Sequence, residues 1–143
     1  MARTDSLEVA SALHRAAIRL LRTVRTADDE TRVSAPKLSA LSVLVFGGAQ
    51  SLSSLARAEQ VTPATMSKLV SELEALGLVA KRVDREDKRG VRIEVTAKGR
   101  ALMEEGRKRR LTLLNARIAK LTREERALLA DASALMMRLA DGQ

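Results

Sequence analysis

Apolar residues recur at helical spacing near the start of the chain. Leu7, Ala10, Ala17, Leu21 and Val24 share one face with His14, flanked by Leu13, Ile18 and Leu20. The pattern predicts a long first helix over residues 7–25, facing inward along that stripe. The polar run 26–32 ends it. Ser34 is placed to cap a second helix, and Pro36 is tolerated in its first turn. Leu38, Leu41, Val43, Leu44 and Phe46 supply its expected buried face, and Gly47 and Gly48 its stop.

The pattern is denser from residue 51 to residue 78. A short helix, about 53–60, carries Leu55 and Ala56, and Val61 and Thr62 make a turn. Thr62 is a natural N-cap with Pro63 at the first helical position. The helix that follows presents Met66, Leu69, Val70, Leu73 and Leu76 as core, and Gly77 ends it. The spacing then changes from helical to alternating. Residues 78–83, through Val79, Lys81 and Val83, and residues 91–95, through Val91, Ile93 and Val95, predict two strands joined by the charged segment 84–90. Thr96 starts a long helix to about residue 120. Thr122 and Glu125 form a T-x-x-E capping box for a last helix with Leu128, Leu129, Ala132, Leu135, Met136 and Leu139 as its apolar stripe. The fold class is therefore mainly α with a small β-hairpin wing: a winged helix-turn-helix with N- and C-terminal helices free to dimerise.

Composition narrows the chemistry. Only 1% of residues are aromatic against 45% hydrophobic, so the core is aliphatic and suits packed helices. Cys is absent, which excludes disulfides and thiol chemistry, and a single His excludes a histidine metal cluster. No Gly-rich phosphate loop or carboxylate pair at catalytic spacing appears, so neither an enzyme nor a bound cofactor or metal is expected. No apolar run spans a bilayer and the first seven residues carry no signal region, so the expected location is the cytoplasm, with no membrane partner. A membrane-surface helix at Arg107–Arg110 is the weaker reading, because Leu111, Leu113 and Leu114 look like continuing core.

The net charge of +8 points to a polyanion. Residues 81–110 hold twelve Lys or Arg against six Asp or Glu, a net of +6, so most of the excess lies in the hairpin and the helix after it. Exposed positions on the Pro63 helix are small or hydrogen-bonding: Thr62, Ala64, Thr65, Ser67, Lys68 and Ser71. Ala64 and Thr65 suit thymine methyls, Thr65 and Ser67 suit bases or phosphates, and Lys68 suits a phosphate. Arg82, Arg85, Lys88, Arg89 and Arg92 belong to the hairpin, and a tip arginine suits a narrow minor groove. A charge run alone is usually a solvated face. The order of turn, capped helix and basic hairpin is what points to double-stranded DNA; a winged module that binds RNA or protein and senses no ligand is the alternative, and the basic wing tip argues for a nucleic acid without distinguishing its type.

These residues resemble the MarR (multiple antibiotic resistance regulator) family. The carriers are Ser53-Ser54-Leu55-Ala56, Thr62-Pro63-Ala64-Thr65-Met66-Ser67, Leu73-Glu74-Ala75-Leu76-Gly77-Leu78-Val79, Asp84-Arg85-Glu86-Asp87-Lys88-Arg89-Gly90 and Val95-Thr96-Ala97-Lys98-Gly99. The resemblance implies a single MarR-like domain over 1–143, with dimerisation helices at 7–25 and 97–141 and a DNA-binding core at 34–95. It implies that residues Thr62 to Ser71 read DNA, that Asp87 orders the wing and that Arg89 enters the minor groove. It further implies a homodimeric transcriptional regulator, expected to repress from a pseudo-palindromic operator and to release DNA when a small molecule binds. The effector would sit between the first, second and fifth helices, with His14, Arg15 and Arg19 as anion partners. A lone His on an apolar face is otherwise more often packed and hydrogen-bonded. Ligand sites in the family often use aromatic side chains or a reactive Cys. With one Phe and no Cys, thiol oxidation is not the switch here.

Overall fold

The computed structural model describes residues 5–87 and 90–142, with Asp29 and Glu30 described by backbone alone. Lys88 and Arg89 therefore lie outside the described residues. In chain order the elements are α1 (Ser6–Arg25), a 3₁₀ turn (Thr26–Thr31), α2 (Ala35–Gly47), β1 (Gln50–Ser51), α3 (Leu52–Ala58), α4 (Pro63–Ala75), β2 (Val79–Val83), β3 (Val91–Val95), α5 (Ala97–Ile118) and α6 (Arg123–Ala140). The chain divides into two compact units. One comprises Met1–Ala27 and Arg109–Gln143, the other Asp28–Lys108, and α5 contributes to both.

The second unit carries the buried core. Leu41 and Leu44 of α2, Leu55 of α3, Met66, Val70 and Leu73 of α4, and Val79 and Ile93 of the sheet are sealed from solvent with Ala40, Ala56 and Leu78. The core is wholly aliphatic apart from the Met66 thioether, as the composition requires. The sheet has order β1-β3-β2 and is antiparallel throughout. β2 and β3 pair from Val79↔Val95 to Val83↔Val91. The expected two-stranded hairpin is thus a three-stranded sheet. Gln50 and Ser51 pair with Ile93 and Arg92, and two residues are too few to show an alternation in sequence.

Several expected core positions face water. Phe46 is 85% exposed. It lies two residues beyond the buried Leu44, about 200° around the helix, and so points away from the core. Leu76 is 44% exposed because it is the C-cap residue of α4, beyond the last helical turn. Ser34 occupies the N-cap position of α2 with extended backbone, but its side chain makes no capping bond.

In the first unit, no residue of α1 or α6 is buried. Leu7 and Leu21, expected to face inward, are exposed, and His14 is exposed instead of packed. Ala17 and Val24 are half-buried, as are Leu113 and Leu114 of α5, while Leu111 is exposed. The Arg109 guanidinium Nε donates to the Ala27 carbonyl at 3.1 Å. The expected capping box of α6 is complete. The Thr122 hydroxyl accepts from Glu125 N at 3.1 Å, and the Glu125 carboxylate accepts from Thr122 N at 2.8 Å. Among the described residues, no helix is long and apolar enough to cross a membrane.

Candidate nucleic-acid interface

The turn into α4 is built by local bonds. Val61 N donates to the Ala56 carbonyl at 3.0 Å and closes the end of α3, while Gln60 adopts a left-handed backbone with φ 56°. α3 itself is capped by Ser51, whose hydroxyl accepts from Ser54 N at 3.1 Å. The Ser39 hydroxyl on α2 donates to the Glu59 carboxylate at 2.9 Å, and Lys37 Nζ meets the Glu72 carboxylate at 2.8 Å. Both helices of the helix-turn-helix are thereby tied to α2.

At the start of α4 the Thr62 hydroxyl accepts from Thr65 N at 3.1 Å and donates to Thr65 Oγ1 at 2.9 Å. The Thr62 hydrogen is then used, and the Thr65 hydroxyl keeps its own hydrogen for an outside acceptor. Pro63 occupies the first turn, where no backbone donor is lost to the helix. Thr62, Pro63, Ala64, Thr65, Ser67, Lys68 and Ser71 are all exposed, while Met66, Val70 and Leu73 are buried and Leu69 half-buried. The helical period separates core from the candidate reading surface along one short helix. Among the described residues, the side chains of Ser67, Lys68 and Ser71 have no hydrogen-bond or ion-pair partner, so their donors are available. Replacing Thr62 by valine removes the cap at nearly constant volume. We expect a loss of about 1 kcal/mol in chemical unfolding, within the usual range of roughly 0.5–2 for such caps.

The far end of α4 is anchored to α5. Gly77 takes φ 73°, a left-handed conformation that costs glycine little, and Leu78 N turns back to the Leu73 carbonyl at 3.0 Å. The Thr96 hydroxyl donates to the Gly77 carbonyl at 2.6 Å, and Lys98 Nζ donates to the Leu76 carbonyl at 2.8 Å. Thr96 also accepts from Gly99 N at 3.1 Å and so caps α5. A lysine at the carbonyl end of a helix also meets the negative end of its dipole.

In the wing, Asp84 does much of the local ordering. Its backbone N donates to the Gly90 carbonyl at 2.9 Å, its carboxylate accepts from Glu86 N at 2.9 Å, and it faces Arg92 Nη1 at 3.8 Å. Asp87 contributes a carbonyl that accepts from Gly90 N at 2.8 Å. Arg92 also donates to the Ala49 carbonyl, tying the hairpin to the residue before β1. Arg82 Nε pairs with the Glu94 carboxylate at 2.7 Å across the strands. Of the five wing residues named from sequence, Arg82 is tethered, Arg85 and Asp87 are exposed at the turn, and Lys88 and Arg89 lie outside the described residues. Sequence reasoning missed the roles of Asp84, Lys98 and the Lys37–Glu72 pair. An Asp at the start of a turn is a signal for the first, because its carboxylate can accept the N–H two residues on. The other contacts join residues distant along the chain and leave no local pattern.

A sequence model of the MarR family matches residues 33–91, from two residues before α2 to the first residue of β3. An HTH-type transcriptional regulator of Mycobacterium bovis is 35% identical over 133 residues, covering 93% of this chain and 93% of the relative. A Pseudomonas aeruginosa protein of known structure superposes with a TM-score of 0.83 at 31% identity, over 96% of each chain. The Bordetella bronchiseptica regulator BpsR, whose DNA binding is regulated by 6-hydroxynicotinic acid, superposes with a TM-score of 0.59 at 26% identity, over 90% of this chain and 92% of its own. With its capped α4, its wing and these matches, the chain belongs to the MarR family of helix-turn-helix transcriptional regulators, which bind DNA and are not enzymes.

Proposed function

We propose that the protein is a homodimeric cytoplasmic repressor that reads a pseudo-palindromic operator through α4 and holds it with the wing. The observation that carries this reading is the exposed row from Thr62 to Ser71, all short or hydrogen-bonding side chains backed by a buried apolar row. In this reading Ala64, Thr65 and Ser67 meet base edges, Lys68 and Ser71 meet phosphates, and Arg82, Arg85, Lys88 and Arg89 hold the backbone or the minor groove beside Asp87.

The dimer reading rests on apolar surface. Leu7, Leu20 and Leu21 on α1, and Leu128, Leu135 and Leu139 on α6, are each 49% or more exposed in the single chain. Burying such residues stabilises by roughly 1.5–3 kcal/mol each, and a second copy of residues 7–25 and 97–141 offers the matching surface. A single domain over 1–143 then dimerises by its ends and binds DNA by its 34–95 core. Two recognition helices would fall about one DNA turn apart, ~34 Å. Sedimentation equilibrium at micromolar concentration is expected to give twice the 15.6 kDa of the chain. Footprinting on the promoter beside its own gene should protect two half-sites one turn apart. A monomer with a single protected site would refute the dimer.

The effector reading draws on BpsR, where 6-hydroxynicotinic acid regulates DNA binding. Here Arg15 and Arg19 are one helical turn apart on α1, with His14 beside them, all exposed. That surface suits an anion. Adding 6-hydroxynicotinic acid to the DNA complex tests sensing separately. Release by the acid, lost in Arg15→Ala/Arg19→Ala, supports it, and no release leaves a DNA-binding regulator without this sensor.

A further inference from the structure

Lys37 stands in the first turn of α2, where positive charge opposes the helix dipole and costs the helix some stability. Its ammonium lies 2.8 Å from Glu72 on α4, with the lysine side chain only 21% exposed and the carboxylate 40%. Glu72 also lies four residues after Lys68, so the two occupy neighbouring positions on one helix face. That neighbour acts on Glu72 only through its charge. Glu72 reaches across to α2, and Lys68 makes no ion pair among the described residues. Lysine before glutamate is the weaker order for such a pair, and so yields to Lys37. The hydrogen bond and charge of Lys37, with a smaller contribution from Lys68, hold the Glu72 carboxyl below its ordinary range. The pair is therefore fully formed at neutral pH and is lost only as pH falls through that lowered value.

We infer that Lys37 is a positioning residue for DNA binding, which occupies the Glu72 carboxylate and so keeps the Lys68 ammonium free for a phosphate. This rests on the reading of α4 as the DNA-facing helix. Without Lys37, Glu72 turns to Lys68 and competes with the phosphate for its ammonium.

The test uses the full chain and a duplex selected by the wild type from a random pool, titrated over a salt series. Lys37→Met should weaken binding about five- to tenfold and lower the log–log salt slope by about 0.9, the value of one phosphate. Glu72→Gln should bind at least as tightly as wild type. Lys37→Met/Glu72→Gln should recover both affinity and slope, although it has no ion pair at all. Lys68→Ala should lower the slope by the same amount, and adding Lys37→Met to it should change little. Thermal unfolding of each variant separates lost fold from lost binding, and Lys37→Gln stands in if the methionine variant does not fold. An unchanged slope in Lys37→Met, a failure of Glu72→Gln to rescue it, or weaker binding by Glu72→Gln alone overturns the inference. If Lys68→Ala itself leaves affinity and slope unchanged, the phosphate contact assigned to Lys68 is wrong, and the inference falls with it for that separate reason.

Discussion

Replacing Arg85, Lys88 and Arg89 together by alanine is expected to weaken binding to every duplex, on the order of a hundredfold or more near 0.1 M salt. Each cation that neutralises a phosphate releases counterions and adds about 0.9 to the log–log salt slope. Three such contacts amount to a slope change of about 2.7. Arg85 is exposed at the wing turn and makes no ion pair among the described residues. The hairpin does not need it, because Asp84 closes the turn through Glu86 N and Gly90 O and ties it to Arg92. Stability should therefore stay within about 0.5 kcal/mol of wild type, as for other surface changes. The loss should be felt on every duplex, since phosphate contacts carry no base information, with any sequence dependence confined to the width of the minor groove that Arg89 enters. Titrations at several salt concentrations on two unrelated duplexes check this. An unchanged slope would remove the wing from the interface.

Gly99→Ala should be the most damaging small substitution in the second unit. A Cβ there would lie 2.2 Å from the Leu78 carbonyl oxygen and 2.7 Å from Val95 Cγ2. Neither neighbour can yield cheaply. The Leu78 carbonyl accepts from Thr96 N at 3.0 Å, and Val95 is half-buried and packed against the core. The start of α5 must therefore move away from Leu78 and Val95, which loosens the Thr96 and Lys98 bonds to the end of α4. Overpacking of this kind costs about 1–3 kcal/mol, against a helix-propensity gain of roughly 0.5–1 kcal/mol from removing glycine. We expect a net loss measurable by urea unfolding, and weaker DNA binding because the C-terminal anchor of α4 shifts. Equal stability of Gly99→Ala and wild type would contradict the close approach on which this rests.

Elements with a sustained period are legible in the amino-acid sequence. β3 spans the residues expected from the alternation, β2 starts at Val79, one residue after the expected start at Leu78, and the T-x-x-E signal at Thr122 matches a complete capping box. The exposed face of α4 is legible because Met66, Val70 and Leu73 mark the opposite side. Features that depend on distant partners are hidden. β1 exists only because Arg92 and Ile93 are there to pair with. Phe46 belongs by hydropathy to a core but by helical phase to the surface. The stripe of Leu7 and Leu21 is apolar at helical spacing, yet a period does not reveal that the single chain's own core leaves it uncovered. Lys37 and Glu72 are separated by 35 residues, and nothing local marks either as the other's partner.

The most direct measurement is selection of binding sites from random duplexes by the wild-type chain and by Thr65→Ala, Ser67→Ala and the Arg85/Lys88/Arg89 triple alanine variant. The α4 variants should change the preferred bases at one or two positions in each half-site, with about 1–3 kcal/mol of discrimination lost per contact, while the wing variant binds weakly and keeps the wild-type preference. Identical preferences in all four proteins would show that α4 does not read the DNA.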